Sequence, residues 1–177
     1  MTREDCRKII GSLLTPKRLH HSECVADAAV ALAAQYGANE QQAMLAGMLH
    51  DCMKRAPGQE REEPTRHAFA GAEYLEQECG VADEAVLNAV RWHTTGHAGM
   101  TLLEEVVFVA DLISADRDYP DVETVRELSG QDLHAASKYI LEFIFAKLER
   151  ESRRRPHPDS IAWYSELEGG IKCNPMS

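Results

Sequence analysis

Apolar residues recur along this chain with the spacing of an α-helix, and no convincing alternating strand pattern interrupts them. Thr15 followed by Pro16 is typical of a helix start, and Gly37 is typical of a helix end. The apolar stripe between these signals consists of Val25, Ala28, Leu32 and Tyr36. The pattern therefore predicts a long amphipathic helix in this segment.

Caps, glycines and prolines divide the rest of the chain into further helices. We expect them at about residues 39–55, 65–79, 83–95, 101–119, 122–128 and 132–155, with a short last helix from 157. Residues 56–64 contain Pro-Gly and a charge run, which indicates a loop. Residues 106–109 could form a short strand, but a capping box at Thr101 and Glu104 favours helix. We predict one all-α domain over residues 1–177, with seven to nine helices and a core at about 15–165.

The charge balance limits the classes of partner. The chain has 177 residues, with 29 Asp plus Glu against 19 Lys plus Arg and a formal net charge of −10. Affinity for nucleic acid depends on cations that neutralise phosphates, so we expect no nucleic-acid partner. An anionic small substrate would need a local cationic pocket or metal ions to offset the negative electrostatic field of the protein.

Neither the N-terminal segment nor the cysteines indicate export. Residues 1–10 are too charged for a signal peptide, and the longest apolar run, residues 28–34, is too short to span a bilayer. The five cysteines are odd in number, widely spaced and form no Cys-x-x-Cys pair. We therefore expect free thiols, a cytoplasmic location and no membrane partner.

Six polar side chains fall on the inward faces of five predicted helices. They are His21, His50, Asp51, His67, His93 and Asp111. A lone histidine on an apolar face is usually a hydrogen-bonded core residue, but six such groups together would be costly to bury without a shared cation. Four histidines serve as a control because they lie on outer faces or near helix boundaries. They are His20, His97, His134 and His157.

These ligand types limit which metal ions could bind. Imidazole and carboxylate together suit Fe, Mn, Co, Ni or Zn rather than Ca. Four histidines and two aspartates exceed one tetrahedral zinc site and suit two metals with one bridging carboxylate. Two metals can generate a hydroxide nucleophile and hold the oxygens of an in-line displacement at phosphorus. Adjacent His50 and Asp51 point about 100° apart on a helix, so both reach one centre only near a helix end.

The order His21, His50-Asp51 and Asp111, with two further histidines between, resembles the pattern of HD-domain phosphohydrolases. Local motifs are similar to those of the bacterial YqeK group, which are symmetrical diadenosine tetraphosphate hydrolases. These motifs are Arg18-Leu19-His20-His21-Ser22, His50-Asp51-Cys52-Met53-Lys54, His67-Ala68-Phe69-Ala70-Gly71, Arg91-Trp92-His93-Thr94-Thr95-Gly96, Met100 and Arg117-Asp118-Tyr119-Pro120.

The resemblance implies an iron-dependent enzyme that cleaves diadenosine tetraphosphate into two ADP by attack of metal-bound hydroxide at an inner phosphorus. By motif position it implies His21, His50, Asp51 and Asp111 as core ligands. It also implies Asp51 as the bridge, His67 and His93 as ligands of the second metal, and a homodimer. Two departures from the pattern are Met53, where a smaller residue is usual, and residues 114–116, where Glu-Pro is frequent before the arginine.

Several residues could contact the substrate. Lys54 could act in catalysis as a point charge on a phosphate, and Arg117 could hold a second phosphate in a bidentate manner. Thr95, the backbone of Gly96 and the side chain of His67 complete the predicted substrate contacts. The alternatives are that Lys54 complements a helix end and that Arg117 pairs with Asp116 or Asp118. A basic run at residues 150–155 is better explained as a solvated helix terminus.

Three other functions are compatible with this pattern. The first is an HD-class phosphohydrolase acting on a nucleoside monophosphate, a triphosphate or a cyclic dinucleotide. The second is a diiron oxygenase, because a site of four histidines and two aspartates can also activate oxygen. The third is a non-catalytic nucleotide-binding module.

Overall fold

The computed structural model describes residues 1–54, 65–152 and 155–169, and within these ranges the chain is helical without any strand. The helices are α1 (Arg3–Ile10), α2 (Pro16–Tyr36), α3 (Glu40–Leu49), α4 (Arg66–Gln77), α5 (Glu84–Trp92), α6 (Leu102–Ile113), α7 (Val122–Ser129), α8 (Leu133–Lys147) and α9 (Pro158–Gly169). A π-helical turn, Leu148–Ser152, extends α8. The predicted all-α class and the helical state of residues 106–109 are confirmed.

The helix starts follow the capping signals of the sequence. Thr15 accepts a hydrogen bond from the first turn of α2, and Gly37 ends that helix in the left-handed region at φ 81°. Asn39 caps α3 in the same way. Thr101 and Glu104 form the expected capping box of α6. These side chains satisfy backbone N–H groups that a helix leaves unpaired, which is why the starts are predictable.

The helix ends differ more from the prediction. α3 ends at Leu49 rather than near residue 55, α5 ends at Trp92 and α6 ends at Ile113. α8 stops at Lys147, and the loop expected at 56–64 lies outside the described residues. An additional helix, α1, precedes the predicted ones, and Cys6 and Ile10 are its buried residues. Two buried positions are too few for a detectable apolar period.

Helix α6 is the central helix of the fold. Every residue from Leu103 to Asp111 on it is buried, and it packs against α2, α3, α5, α7 and α8. Helices α2 and α3 approach so closely that a β-carbon on Gly47 would lie 2.7 Å from the Ala26 α-carbon. This packing brings the polar residues of α2, α3 and α6 to one place. None of the described helices is long and apolar enough to cross a membrane.

Candidate metal centre

His50 and Asp51 lie where α3 stops. His50 is the C-cap residue of α3, and Asp51 occupies the turn that follows. Both side chains are buried. The break in the helix frees Asp51 from the 100° separation that a continuous helix would impose, so both residues face the same interior space. The prediction that this pair needs a helix end is confirmed, although the end comes earlier than expected.

His21, His50 and Asp111 form the first group of potential ligands. Their nearest ligand atoms all lie within 4.8 Å of one another. His21 Nε2 is 2.9 Å from Asp111 Oδ1, and the same oxygen is 3.9 Å from His50 Nε2. Helices α2 and α6 supply two members of the group, and the end of α3 supplies the third.

A second group shares His50 and adds Asp51 and His93. The two oxygens of Asp51 face different neighbours: Oδ2 lies 3.6 Å from His50 Nε2, whereas Oδ1 lies 3.4 Å from His93 Nε2. His67 approaches the same Oδ1 at 3.2 Å. The structure therefore brings all six predicted ligands together, with the Asp51 carboxylate between the two sides.

Hydrogen bonds on the far side of the rings fix their orientation. His50 Nδ1 lies 2.8 Å from the Gly47 carbonyl, and His93 Nδ1 lies 2.7 Å from the Val90 carbonyl. Because a carbonyl only accepts, each Nδ1 carries the hydrogen and each Nε2 presents a lone pair to the centre. This arrangement is common for metal-binding histidines.

The donor set fits a divalent cation. The buried Nε2 of His50 has no hydrogen-bond partner among the described residues. His93 Nε2 and Asp51 Oδ1 lie 3.4 Å apart, so a divalent cation could accept a lone pair from each of them. Imidazole nitrogens with carboxylate oxygens suit Fe, Mn, Co, Ni and Zn. The described residues thus contain a His/Asp cluster suited to a divalent metal.

Protonation states support this description. Burial lowers the pKa of His50 to about 4, so the ring is neutral near pH 7. Burial pushes the pKa of Asp111 upward, but the hydrogen bond with His21 and the charge of Arg117 hold it well below its usual range. The pKa of Asp51 is also well below its usual range, because His50 and other neighbours outweigh its burial. Both carboxylates are therefore ionised, as metal ligands must be.

Cationic side chains line the rim. Lys54 Nζ lies 2.9 Å from Asp51 Oδ2, and an Arg18 guanidinium nitrogen lies 4.0 Å from the same oxygen. Arg117 donates to the Asp111 carboxylate, and its Nε donates to the Asp111 carbonyl at 2.7 Å. The alternative in which Arg117 pairs with Asp116 or Asp118 is therefore wrong, because its hydrogen-bond partner is a predicted metal ligand.

Thr95 and Gly96 have packing roles toward α9. Thr95 is buried, and its carbonyl accepts a hydrogen bond of 2.8 Å from the Ser160 hydroxyl. Gly96 has φ 61°, and a β-carbon there would lie 2.2 Å from a Trp163 ring atom. Their contact with phosphate stays a prediction.

Sequence reasoning overlooked three residues at this centre. The Thr94 hydroxyl lies 3.0 Å from His93 Nε2, and Arg18 reaches Asp51 as described. The Asp116 carboxylate lies 2.9 Å from His21 Nδ1. Arg18 was detectable, since it precedes His21 by three residues and shares its helix face. Asp116 and Thr94 follow helix ends, where no period reveals which way a side chain points.

The four control histidines contact other groups. His20 is exposed and lies near Cys24, and His97 lies beside the Ala98 carbonyl. His134 and His157 contact acidic side chains, Glu105 and Asp159, respectively. None of the four belongs to the two ligand groups found in the described chain.

The chain matches a family model described as HD domain over residues 18–116, a segment that contains all six ligand candidates. The chain belongs to the HD-domain family. The resemblance stated from the sequence motifs is therefore confirmed. Within this HD domain, the paired His50 and Asp51 occupy the centre of the cluster.

Curated relatives and a solved structure match almost the whole HD protein. It is 33% identical to a symmetrical bis(5'-nucleosyl)-tetraphosphatase of Bacillus subtilis, over 96% of this chain and 100% of the relative. It is 35% identical to a protein of the same name from Halalkalibacterium halodurans, over 94% of this chain and 97% of the relative. A crystal structure described as a predicted HD superfamily hydrolase involved in NAD metabolism, from Clostridium acetobutylicum, superposes with TM-score 0.86 at 27% identity and covers 96% of this chain and 98% of its own.

Proposed function

We propose that this HD-domain protein is a metal-dependent hydrolase that cleaves diadenosine tetraphosphate symmetrically into two ADP. The observation that carries the chemistry is the buried cluster around His50, whose Nε2 faces two carboxylates without a hydrogen-bond partner in the described chain. The substrate is supported by near full-length similarity to relatives named for this symmetrical activity.

The six clustered side chains are the proposed metal ligands. His21, His50 and Asp111 form one side, His67 and His93 form the other, and Asp51 contributes one oxygen to each side. Iron, as a dinuclear pair, is the metal we propose, and the donor set also suits Mn, Co, Ni and Zn. When bound, such ions supply Lewis acidity that activates water and neutralises charge on phosphate.

Rim cations are the proposed phosphate contacts. The Lys54 ammonium and the Arg117 guanidinium border the cluster from two sides, at Asp51 and Asp111. They supply positive charge where the protein as a whole is acidic, and the arginine fork can hold a phosphate by two hydrogen bonds. His67, Thr95 and Gly96 remain predicted contacts.

The reaction requires a defined bond change. Water adds to an inner phosphorus, the central P–O–P bond breaks, and the departing phosphate oxygen leaves as part of ADP. In-line attack of this kind needs the tetraphosphate held with its middle at the cluster. Phosphate contacts on both sides of the metal cluster are suited to hold the tetraphosphate of the substrate in this way.

Product analysis with the metal-loaded protein tests this proposal. Diadenosine tetraphosphate should yield ADP alone, and His50→Ala should lose both bound metal and hydrolysis. The appearance of AMP with ATP would exclude symmetrical cleavage. NAD and RNA belong in the same panel: preferential conversion of NAD to AMP and nicotinamide mononucleotide would replace the proposed substrate, and RNA should remain intact. His20→Ala, at an exposed histidine one position from His21, is the matched control.

Two further expectations accompany the proposal. A cytoplasmic location is supported by the four described cysteines, all of which are free thiols. The homodimer stays a prediction from the family resemblance, and light scattering of the purified protein tests it.

A further inference from the structure

The turn that follows α6 places a second carboxylate behind His21. His21 Nε2 faces Asp111 at 2.9 Å, and its other ring nitrogen, Nδ1, lies 2.9 Å from Asp116 Oδ2. Asp111 is the last-turn residue of α6, and Asp116 lies in the turn beyond it. The imidazole of His21 is therefore held between two carboxylates that come from a single segment of the chain.

The turn is held rigidly, so the position of Asp116 is well defined. The buried Ser114 hydroxyl donates to Asp116 Oδ1 at 2.8 Å. Arg126, from α7, donates to the backbone carbonyls of Ile113 at 3.0 Å, Ser114 at 2.8 Å and Arg117 at 3.3 Å. Three carbonyls on one guanidinium fix the backbone on both sides of Asp116, and the serine fixes its carboxylate.

Once His21 is neutral, as a histidine must be to bind a metal, two tautomers compete at this place. If Nε2 carries the hydrogen, the ring donates it to Asp111 and has no lone pair for a metal. If Nδ1 carries the hydrogen, it is donated to Asp116, and Nε2 and Asp111 both direct lone pairs to the centre. An acceptor at Asp116 favours the second tautomer, which is the one that binds a cation.

We propose that Asp116 is a positioning residue that keeps His21 in its metal-binding tautomer and orientation. This inference rests on the metal centre of the proposed function, and it does not depend on the substrate. The carboxylate also raises the basicity of Nε2 and thereby strengthens the bond to metal.

Metal affinity of the full chain tests the role of Asp116. Dissociation constants for Zn²⁺ are measured by competition with a chromophoric chelator, without nucleotide. Asp116→Ala should weaken binding about 10–100-fold, the usual effect of removing a partner that orients a ligand. Asp116→Asn should weaken it less, because the amide oxygen still accepts from Nδ1. Asp118→Asn, an exposed position two residues away, is the control and should stay within about twofold of wild type.

The measured affinities distinguish a positioning role of Asp116 from a general effect of its negative charge. An Asp116→Ala protein that binds Zn²⁺ within twofold of wild type would overturn the proposal. Equal losses in Asp118→Asn would also overturn it, because the effect would then reflect only lost negative charge. Circular dichroism and thermal unfolding show whether each variant is folded, and Asp116→Asn provides the measurement if the alanine variant does not fold. Failure to cleave diadenosine tetraphosphate would contradict the substrate assignment and leave the affinity result unchanged.

Discussion

Gly47→Ala should destabilise the protein, although the same exchange inside a helix usually stabilises. Alanine gains about 0.5–1 kcal/mol over glycine in a helix interior because it loses less backbone entropy on folding. Gly47 lies in α3, but its missing side chain faces the backbone of α2. The added β-carbon would lie 2.7 Å from the Ala26 α-carbon and 2.9 Å from its nitrogen. Backbone atoms cannot rotate away as a side chain can.

The size of the required helix displacement determines how much Gly47→Ala destabilises the protein. Ordinary contact begins at 3.4 Å, so α2 and α3 must separate by about 0.7 Å, the difference between 3.4 and 2.7 Å. Overpacking of this kind costs about 1–3 kcal/mol, and subtracting the helix gain of about 0.5–1 kcal/mol leaves a net loss of up to about 2.5 kcal/mol. At this chain length, the melting temperature should fall by up to about 10 °C. Because His50 Nδ1 is hydrogen-bonded to the Gly47 carbonyl, the shift also moves His50 away from His21.

Thermal unfolding and metal binding should therefore change together in Gly47→Ala. The melting temperature of the metal-free protein reports the packing cost, and chelator competition with Zn²⁺ reports the displacement of His50. Gly169→Ala is the matched control, because a β-carbon at Gly169 meets nothing within 4 Å. A Gly47→Ala protein at least as stable as wild type, with unchanged affinity for Zn²⁺, would refute the packing argument.

Two further predictions concern residues outside the ligand cluster. Gly96→Ala should lower the melting temperature, because the added β-carbon would overlap the Trp163 ring and the φ of 61° at this position favours glycine. Unchanged stability together with weaker substrate binding would instead support a phosphate contact at Gly96. The hydrogen bond to Glu105 raises the pKa of His134 above 6.5, so its stabilising effect is present below pH 6.5 and is lost as pH rises through the folded-state pKa. His134→Ala should thus lower the melting temperature more at pH 5.5 than at pH 9, and an equal loss at both values would contradict this linkage.

Helix starts were easier to predict than helix ends for a physical reason. Most of the described helix starts carry a side-chain acceptor such as Asn39 or Thr101, which the sequence displays. The ends of α3 and α5 are instead made by the ligands themselves. His50 and His93 are the C-cap residues, and each ring bonds back to a carbonyl three residues earlier. Histidine is not a typical helix stop signal, so the predicted helices extend beyond the observed ends.

The six ligand candidates were predictable because each lies on or beside an apolar helix face. The residues that hydrogen-bond these ligand candidates were harder to predict. Asp116 meets His21 across 95 positions of sequence, from a turn with no periodic pattern, and Arg117 lies beside it. A turn directs neighbouring side chains to different sides, so the sequence did not reveal that Arg117 hydrogen-bonds Asp111 rather than Asp116 or Asp118, which were considered as its alternative partners. Tertiary contacts decide such pairs, and single-sequence reasoning has no measure of them.

The separation of the ligands along the chain has a consequence for folding. His21 and Asp111 meet across 90 positions, so the complete donor set exists only after distant segments have come together. A bound ion then acts as a cross-link that the unfolded chain cannot form with equal affinity. By mass action, free metal at about a thousand times its dissociation constant adds about 4 kcal/mol to the free energy of unfolding. Metal supply in the cell would then govern the abundance of the folded protein as well as its catalytic rate.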